Sequence, residues 1–548
     1  MGKSELTPPR IGTIEGREPK TRPLGDKQRS YKALFDSFTH DSQGKISPFE
    51  VLTRLRTAGI RPDDPRIQET WKALDKPSQE SGQLDFERFI AICQRNSGII
   101  TRAIRGELVI PDFPAFIQDI EAMYQDLLTE RSGSVANYIP QLGRVDPEQL
   151  AIAVCTADGQ RFSIGDYRVN FCLQSVCKPL NYLLALEEHG ADTVHRHVGC
   201  EPSGVRFNEL SLNENGIPHN PMINSGAIMS SSLIRPSEQM ADRFDYVAGV
   251  WRELASGGRI GFNNAVYLSE RGSADRNFAL GYFMREKNAF PKGSSLINTL
   301  EFYFQCCSIE IDAESLSAVA ASLASGGVSP LTENRVFRTE NVQKCLSLMS
   351  SCGMYDYSGE FAFRIGLPAK SGVSGALMIV VPQVMGIAVW SPRLDALGNS
   401  VRGIKFSQML TEKYNFHAYD SLVGGDETGK RDPRFRKNQA TADGVVRLCW
   451  AASQGDLDDV RGAIASGIDP SGADYDGRTA LHLAASEGQL EVVRYLLQQG
   501  ANPNACDRWG GTPAADAKRG GHTTVARLLS AGTQRRETTR RCFLSGMR

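Results

Sequence analysis

No apolar run in this chain approaches the ~18 residues that a membrane-crossing helix needs, so the residue pattern excludes the helical membrane classes. Nor is there an excess of either charge. Lys plus Arg total 62 against 63 Asp plus Glu, a formal charge of -1, which leaves no global attraction to nucleic acid or to an anionic membrane surface. Twelve cysteines are present without the paired spacings of a zinc site or a disulfide framework, and Cys306 and Cys307 are adjacent. A reducing compartment is expected. The first residues also lack the apolar core of a signal peptide, and Glu5, Glu15, Glu18 and Asp26 are wrong for an acid-poor transit peptide. Leu6 stands where myristoylation wants a hydroxyl residue, so a cytoplasmic protein is expected.

What is present is length and punctuation. At 548 residues the chain should hold three or four units at ~100–200 residues each. A polar leader over 1–28 precedes a helical segment over 29–130. Within it the stretch THDSQGKISPFE at 39–50 resembles an EF-hand loop, with Gly44 at the sharp turn, Ile46 at the apolar position and Glu50 last. Thr39 and Gln43 replace two expected ligands, which leaves Asp41 and Glu50 alone. A second loop at 75–87 has one residue too many and Gly82 out of place. A helical pair that keeps its fold without a metal is therefore expected, and no metal site is assigned.

From 133 to 420 the pattern is that of a sheet with helices. Apolar strands at 150–155 and 160–164 flank Ala157, Asp158 and Gly159, a hairpin turn. The small-residue run AESLSAVAASLA at 313–324 reads as a buried helix, and 376–381 and 384–390 as two central antiparallel strands around Pro382 and Gln383. A glycine-rich, charged linker is expected over 421–442. Beyond it, over 443–533, Gly455, Gly488 and Gly521 recur every 33 residues, as do Thr479 and Thr512, which is the ankyrin period. Such an array is a candidate surface for a protein partner, and a basic tail over 534–548 ends the chain.

Chemistry concentrates at FCLQSVCKPLNYLLALEEHG, residues 171–190. Ser175 and Lys178 stand three apart at a helix start, where i and i+3 side chains share a face. Ser42 and Lys45 have the same spacing in a loop, so spacing does not choose between them. Context does. A serine needs a base, and a lysine serves only when burial lowers its pKa; Lys178 lies among Val176, Cys177, Pro179 and Leu180. Lys370, Ser371 and Gly372 precede the strand at 376–381, and Ser-x-x-Lys with a later Lys-Ser-Gly is the paired signature of penicillin-recognising serine enzymes. Together they suggest acyl transfer through an acyl-serine.

The wording QSVCKPLNY, EPSGVRFNELSLNENGIPHNPMINSGAI, SERGSADRNFALGYF, LEFYFQCCSIE, SCGMYDYSGEFAF and LPAKSGVSGALMIVVP resembles the serine-dependent glutaminases, densely over 138–416. The flanking segments match the layout of the long, kidney-type members. That resemblance implies a multidomain protein: an α/β catalytic domain similar to serine beta-lactamases, an all-α EF-hand-like N-terminal domain and a C-terminal ankyrin helical array. It implies hydrolysis of L-glutamine to L-glutamate and ammonia, with Ser175 as nucleophile, Lys178 as base and Tyr355 as a proton relay. Tyr138, Asn224, Glu270, Asn277 and Tyr303 would hold substrate together with Ser175 and Tyr355, and Val373 would lend a backbone N–H to the oxyanion. Independently of the family, an amino-acid substrate needs a carboxylate for its ammonium, which Glu270 can supply, and amide or hydroxyl donors for its carboxylate. No cofactor is implied; activation by phosphate and a homotetramer or higher homo-oligomer are. Ser211 stands where long members tend to carry a bulky aromatic, which puts regulation through that loop in question. Two rivals remain: a beta-lactam-recognising or related serine acyl hydrolase, and an ankyrin scaffold with an inactive catalytic domain.

Overall fold

A computed structural model describes residues 26–75, 82–95, 98–204, 209–422, 429–434, 439–465 and 468–530. The basic tail and almost all of the leader lie outside them. Two compact units are present, Thr39–Val446 and, separately, Met1–Phe38 with Arg447–Arg548.

In the larger unit a five-stranded sheet runs in the order β2-β1-β8-β7-β6. Its strands are β1 (Ala151–Thr156), β2 (Arg161–Gly165), β6 (Ala369–Ser371), β7 (Ala376–Val381) and β8 (Met385–Trp390), all antiparallel. The hairpin and the central pair thus stand where the sequence pattern put them. A smaller sheet joins β3 (Phe171–Cys172), β5 (Ile309–Ile311) and β4 (Ile260–Phe262) in that order.

Alternation along each central strand turns successive side chains to two faces. Ala151, Ala153, Ala376 and Ala388 face the core that includes the helix Ala313–Ala324. Ile152, Val154, Leu377, Ile379, Ile387 and Val389 face the other core, closed by the helices Phe113–Leu127 and Val401–Lys413. Small residues on both sides of the first interface let helix and sheet approach closely. A Cβ at Gly386 would lie 2.0 Å from the backbone nitrogen of Ala321, so only glycine fits there. The helix Phe113–Leu127, counted with the N-terminal segment on sequence grounds, is a layer of this sandwich.

The EF-hand-like loops pair as such loops do: Ile46 and Leu84 exchange two backbone hydrogen bonds of 2.9 Å. Their carboxylates have other work. Asp41 Oδ1 accepts from the Gln43 and Lys45 amides at 2.8 and 2.9 Å, and Glu50 accepts from the Thr39 amide and pairs with Arg54. The module is fastened to the hairpin turn by buried polar contacts. Asp158 Oδ2 accepts from Arg102 Nη2 at 2.9 Å and from the Val109 amide at 2.7 Å, Arg66 Nη1 donates to the Asp158 carbonyl, and Gln160 Nε2 donates to the Ala58 carbonyl.

Two expected boundaries differ. Part of the expected linker is tied down: the Arg431 amide donates to the Lys413 carbonyl at 3.0 Å and the Asn415 amide to the Arg431 carbonyl at 3.1 Å, while Asp119 collects Lys413, Tyr414 and Arg431. A helix, Gln439–Gln454, then begins inside the segment read as linker. At the other end a helix opens at Asp26, inside the segment read as leader, and it belongs with the ankyrin unit rather than with 39–130.

In that unit the 33-residue period has a local cause. Thr479 and Thr512 are N-caps, Thr479 in a capping box with His482, and Gly455, Gly488 and Gly521 all sit at positive φ of 72–78° where the chain turns between paired helices.

Candidate active site

Strand β3 delivers the chain to the site, and the Leu173 amide closes on the Ile309 carbonyl at 2.8 Å. Gln174 then takes a left-handed φ of 51° and starts a 3-10 turn, Gln174–Cys177, which feeds the helix Lys178–His189. Ser175 therefore lies one tight turn ahead of the α-helix rather than within its start. The 3-10 geometry eclipses i and i+3 side chains, which aligns Ser175 with Lys178 better than an α-turn would. Pro179 sits in the first turn, where its missing N–H costs nothing.

Lys178 has no exposed surface, and burial pushes its amine down to about 8. Its Nζ donates to Asn224 Oδ1 at 2.7 Å, and Asn224 Nδ2 donates to Asn277 Oδ1 at 3.2 Å. Asn224 opens the helix Asn224–Leu233, which fits only because Gly226 lacks a Cβ that would meet the Asn220 carbonyl at 1.8 Å.

On the opposite side Tyr355 also sits at positive φ, 52°, in a 3-10 turn. Two non-glycine residues held left-handed beside one serine are backbone strain concentrated at a site. The Tyr355 hydroxyl is buried beside the Ser175 side chain and the Val373 amide, and that burial raises its pKa. Lys370 on β6 lies 4.6 Å from the Tyr355 ring centre, fully buried, its Nζ donating to the Ser371 carbonyl at 2.7 Å. Burial first and the positive charge of Lys178 second drive the Lys370 amine well below its ordinary value.

The carboxylate is Glu270, on the helix Asn264–Gly272, 8 % exposed. It accepts from the Tyr138 hydroxyl and from Gln174 Nε2, the latter at 3.1 Å. Burial raises its pKa while those two donors pull it back. Tyr303, buried on the helix Leu296–Cys307, lies beside Cys307, whose sulfur lies near both Glu270 and Lys178. All nine residues singled out from the sequence thus belong to one connected neighbourhood. Ser42, by contrast, is exposed in its loop, so the second Ser-x-x-Lys match has no such setting.

Gln174 was missed. It opens the motif QSVCKPLNY, and its place directly before Ser175 is the signal that points to it. The buried thiols of Cys177 and Cys307, 3.9 Å apart beside Lys178, were also unforeseen. Among the described residues no three His, Cys, Asp or Glu side chains gather as metal ligands, and no helix is long and apolar enough to cross a membrane. The arrangement can present a hydroxyl nucleophile to an amine that is part neutral near pH 8, with a backbone N–H and a phenol beside the hydroxyl and a carboxylate set apart from it.

Comparison with known proteins places this geometry. The glutaminase family model matches residues 133–419, an EF-hand domain model 31–111, and an ankyrin-repeat model, three copies, 448–538. The liver isoform of glutaminase, mitochondrial, of Mus musculus is 45% identical over 80% of this chain and 73% of its own length. A glutaminase of Nostoc sp. is 39% identical over 60% of this chain and 97% of its own. Among solved structures, the one described as probable glutaminase ybaS shares 36% identity at a TM-score of 0.51, covering 53% of this chain and 94% of that one.

Proposed function

This chain belongs to the glutaminase family, and on that premise we propose that it hydrolyses the side-chain amide of L-glutamine through a γ-glutamyl ester on Ser175, with Lys178 as the base. The single observation that supports the mechanism is the place of Tyr355 beside both Ser175 and the Val373 amide, next to a buried amine lowered to about 8. Lys178 takes the hydroxyl proton as Ser175 attacks the amide carbon. The Ser175 and Val373 amides receive the oxyanion, as preplaced donors do in acyl transfer. Tyr355 passes a proton to the departing nitrogen, which leaves as ammonia, and recovers one from the protonated Lys178; the amine, neutral again, takes a proton from the water that attacks the ester and returns it to the Ser175 oxygen as glutamate leaves. Burial first and the charge of Lys178 second disfavour the charged form of Lys370, which works against two positive charges in this pocket.

Glu270, held by Tyr138 and Gln174, pairs with the substrate ammonium, while Asn224, Asn277 and Tyr303 take its carboxylate. A free amino acid fits this clamp, which has no use in binding a beta-lactam or a peptidoglycan-like acyl group. The scaffold alternative is disfavoured because nucleophile, base and clamp are all present.

The family resemblance adds a homotetramer, activation by inorganic phosphate without any cofactor, and a protein partner on the ankyrin array as further proposals. The cytoplasm is the proposed compartment, and cell fractionation tests it against the mitochondrion in the mouse relative's name. The decisive assay measures ammonia and glutamate from glutamine and from asparagine, with and without phosphate, for the parent and for Ser175→Ala. Turnover of glutamine that Ser175→Ala abolishes while remaining folded supports the mechanism. Normal turnover by that variant ends it.

A further inference from the structure

Behind the Val373 loop lies a cavity of about 110 Å³ that the mechanism above does not use. Glu310, Ser374, Gln141, Asn263 and Val373 are among the residues that line it. Its space is well above the ~10–15 Å³ that one water requires.

The chemistry of the lining is one-sided. Glu310 on β5 is partly buried, and its Oε1 accepts a 2.9 Å hydrogen bond from Asn263 Nδ2. Among the described residues no Lys, Arg or His pairs with it. Ser374, 7 % exposed, has a buried hydroxyl with no partner among the described residues, and neither has the buried Gln141 Oε1. A carboxylate in company with two unsatisfied oxygens is costly to leave so, and the cost is removed by an occupant that donates hydrogen bonds and carries positive charge. The volume restricts that occupant to a few atoms.

Position gives it a role. The cavity touches the loop that offers the Val373 amide, strand β3 leading to Ser175, and Asn263, the N-cap of the helix that carries Glu270. We propose that this cavity is a site for a monovalent cation of ammonium size, and that the ammonium released by the reaction is its occupant. Four N–H donors suit a carboxylate, an amide oxygen and a hydroxyl. The ammonia that leaves the acyl-enzyme takes up a proton from solvent at neutral pH, so the product arises beside a pocket built for it. The assignment rests on the glutaminase reading for its occupant, but not for the binding itself.

Thermal melting of the intact protein without glutamine separates the two. At constant ionic strength, ammonium or thallium(I) acetate should raise the melting temperature above its value in tetramethylammonium acetate, whose methyl-shielded charge offers the oxygens no N–H. Glu310→Gln should remove that difference. In turnover, ammonium should inhibit the parent and do so about tenfold more weakly in Glu310→Gln, with KM for glutamine unchanged. Should that variant fold poorly, Ser374→Ala and the anomalous signal of thallium in a soaked crystal of the parent replace it. A thallium peak against Glu310 supports the site. No ammonium-specific stabilisation of the parent, equal stabilisation in Glu310→Gln, or no thallium at Glu310 overturns it; loss of glutamine turnover alone would bear on the reaction and not on the site.

Discussion

Lys178 Nζ donates to Asn224 Oδ1 at 2.7 Å from a position with no exposed surface. A hydrogen bond of this kind satisfies the amine without neutralising it, because an amide oxygen carries no formal charge. The Lys178 amine therefore stays at about 8 rather than returning to its ordinary 10.5.

The first expected outcome is a pH profile. With the neutral Lys178 amine as the proposed base, kcat/KM should fall as pH drops through about 8, with a limiting slope of tenfold per pH unit. A stopped ammonia assay between pH 6 and 9.5 measures it. An activity that is flat across that range would remove Lys178 as the base.

Stability should respond in the same sense. Between about 8 and 10.5 the folded chain holds fewer protons on Lys178 than the unfolded one, so the penalty for burying it is full below about 8 and fades as pH rises towards 10.5. That penalty is roughly 3 kcal/mol at neutral pH. Lys178→Met should be inactive yet no less heat-stable than the parent at pH 7, with any advantage shrinking by pH 10. Thermal melting at both pH values is the check, and a variant that loses stability at pH 7 but not at pH 10 contradicts the sign.

At the clamp, Glu270→Gln keeps the size of the side chain and its place against Tyr138 and Gln174 while removing the charge. KM for glutamine should rise ~10- to 100-fold, the worth of one charged hydrogen bond, with an unchanged melting temperature. Tyr138→Phe should raise KM less, since Gln174 Nε2 still holds Glu270 at 3.1 Å. Steady-state kinetics on both variants measures this, and an unchanged KM in Glu270→Gln would mean that the substrate ammonium binds elsewhere.

Much of this was legible before any coordinates, and the reasons are local. Strands β7 and β8 showed as apolar runs because both of their faces are buried, and the helix Ala313–Ala324 showed by its small residues. That β1 pairs with β8 was not legible, since their ladder joins residues more than 200 apart and no local pattern encodes a partner. The same holds for the tie between Asp119 and Arg431, which turned part of a glycine-rich linker into a fixed strap. The site followed that division. Ser175, Lys178 and Lys370 carry spacing that chemistry can read, and the clamp residues were visible through family motifs. Gln174 opens the QSVCKPLNY motif, but its role depends on a left-handed φ and on Glu270 arriving from a helix 96 residues away.

The most direct measurement is mass spectrometry of the enzyme quenched in acid during turnover of glutamine. A γ-glutamyl adduct on the peptide that contains Ser175, absent from Ser175→Ala and accumulating in Lys178→Met only at a much reduced rate, is the predicted result. An adduct on Cys177 or Cys307, or steady turnover with no covalent intermediate under any quench, would contradict it.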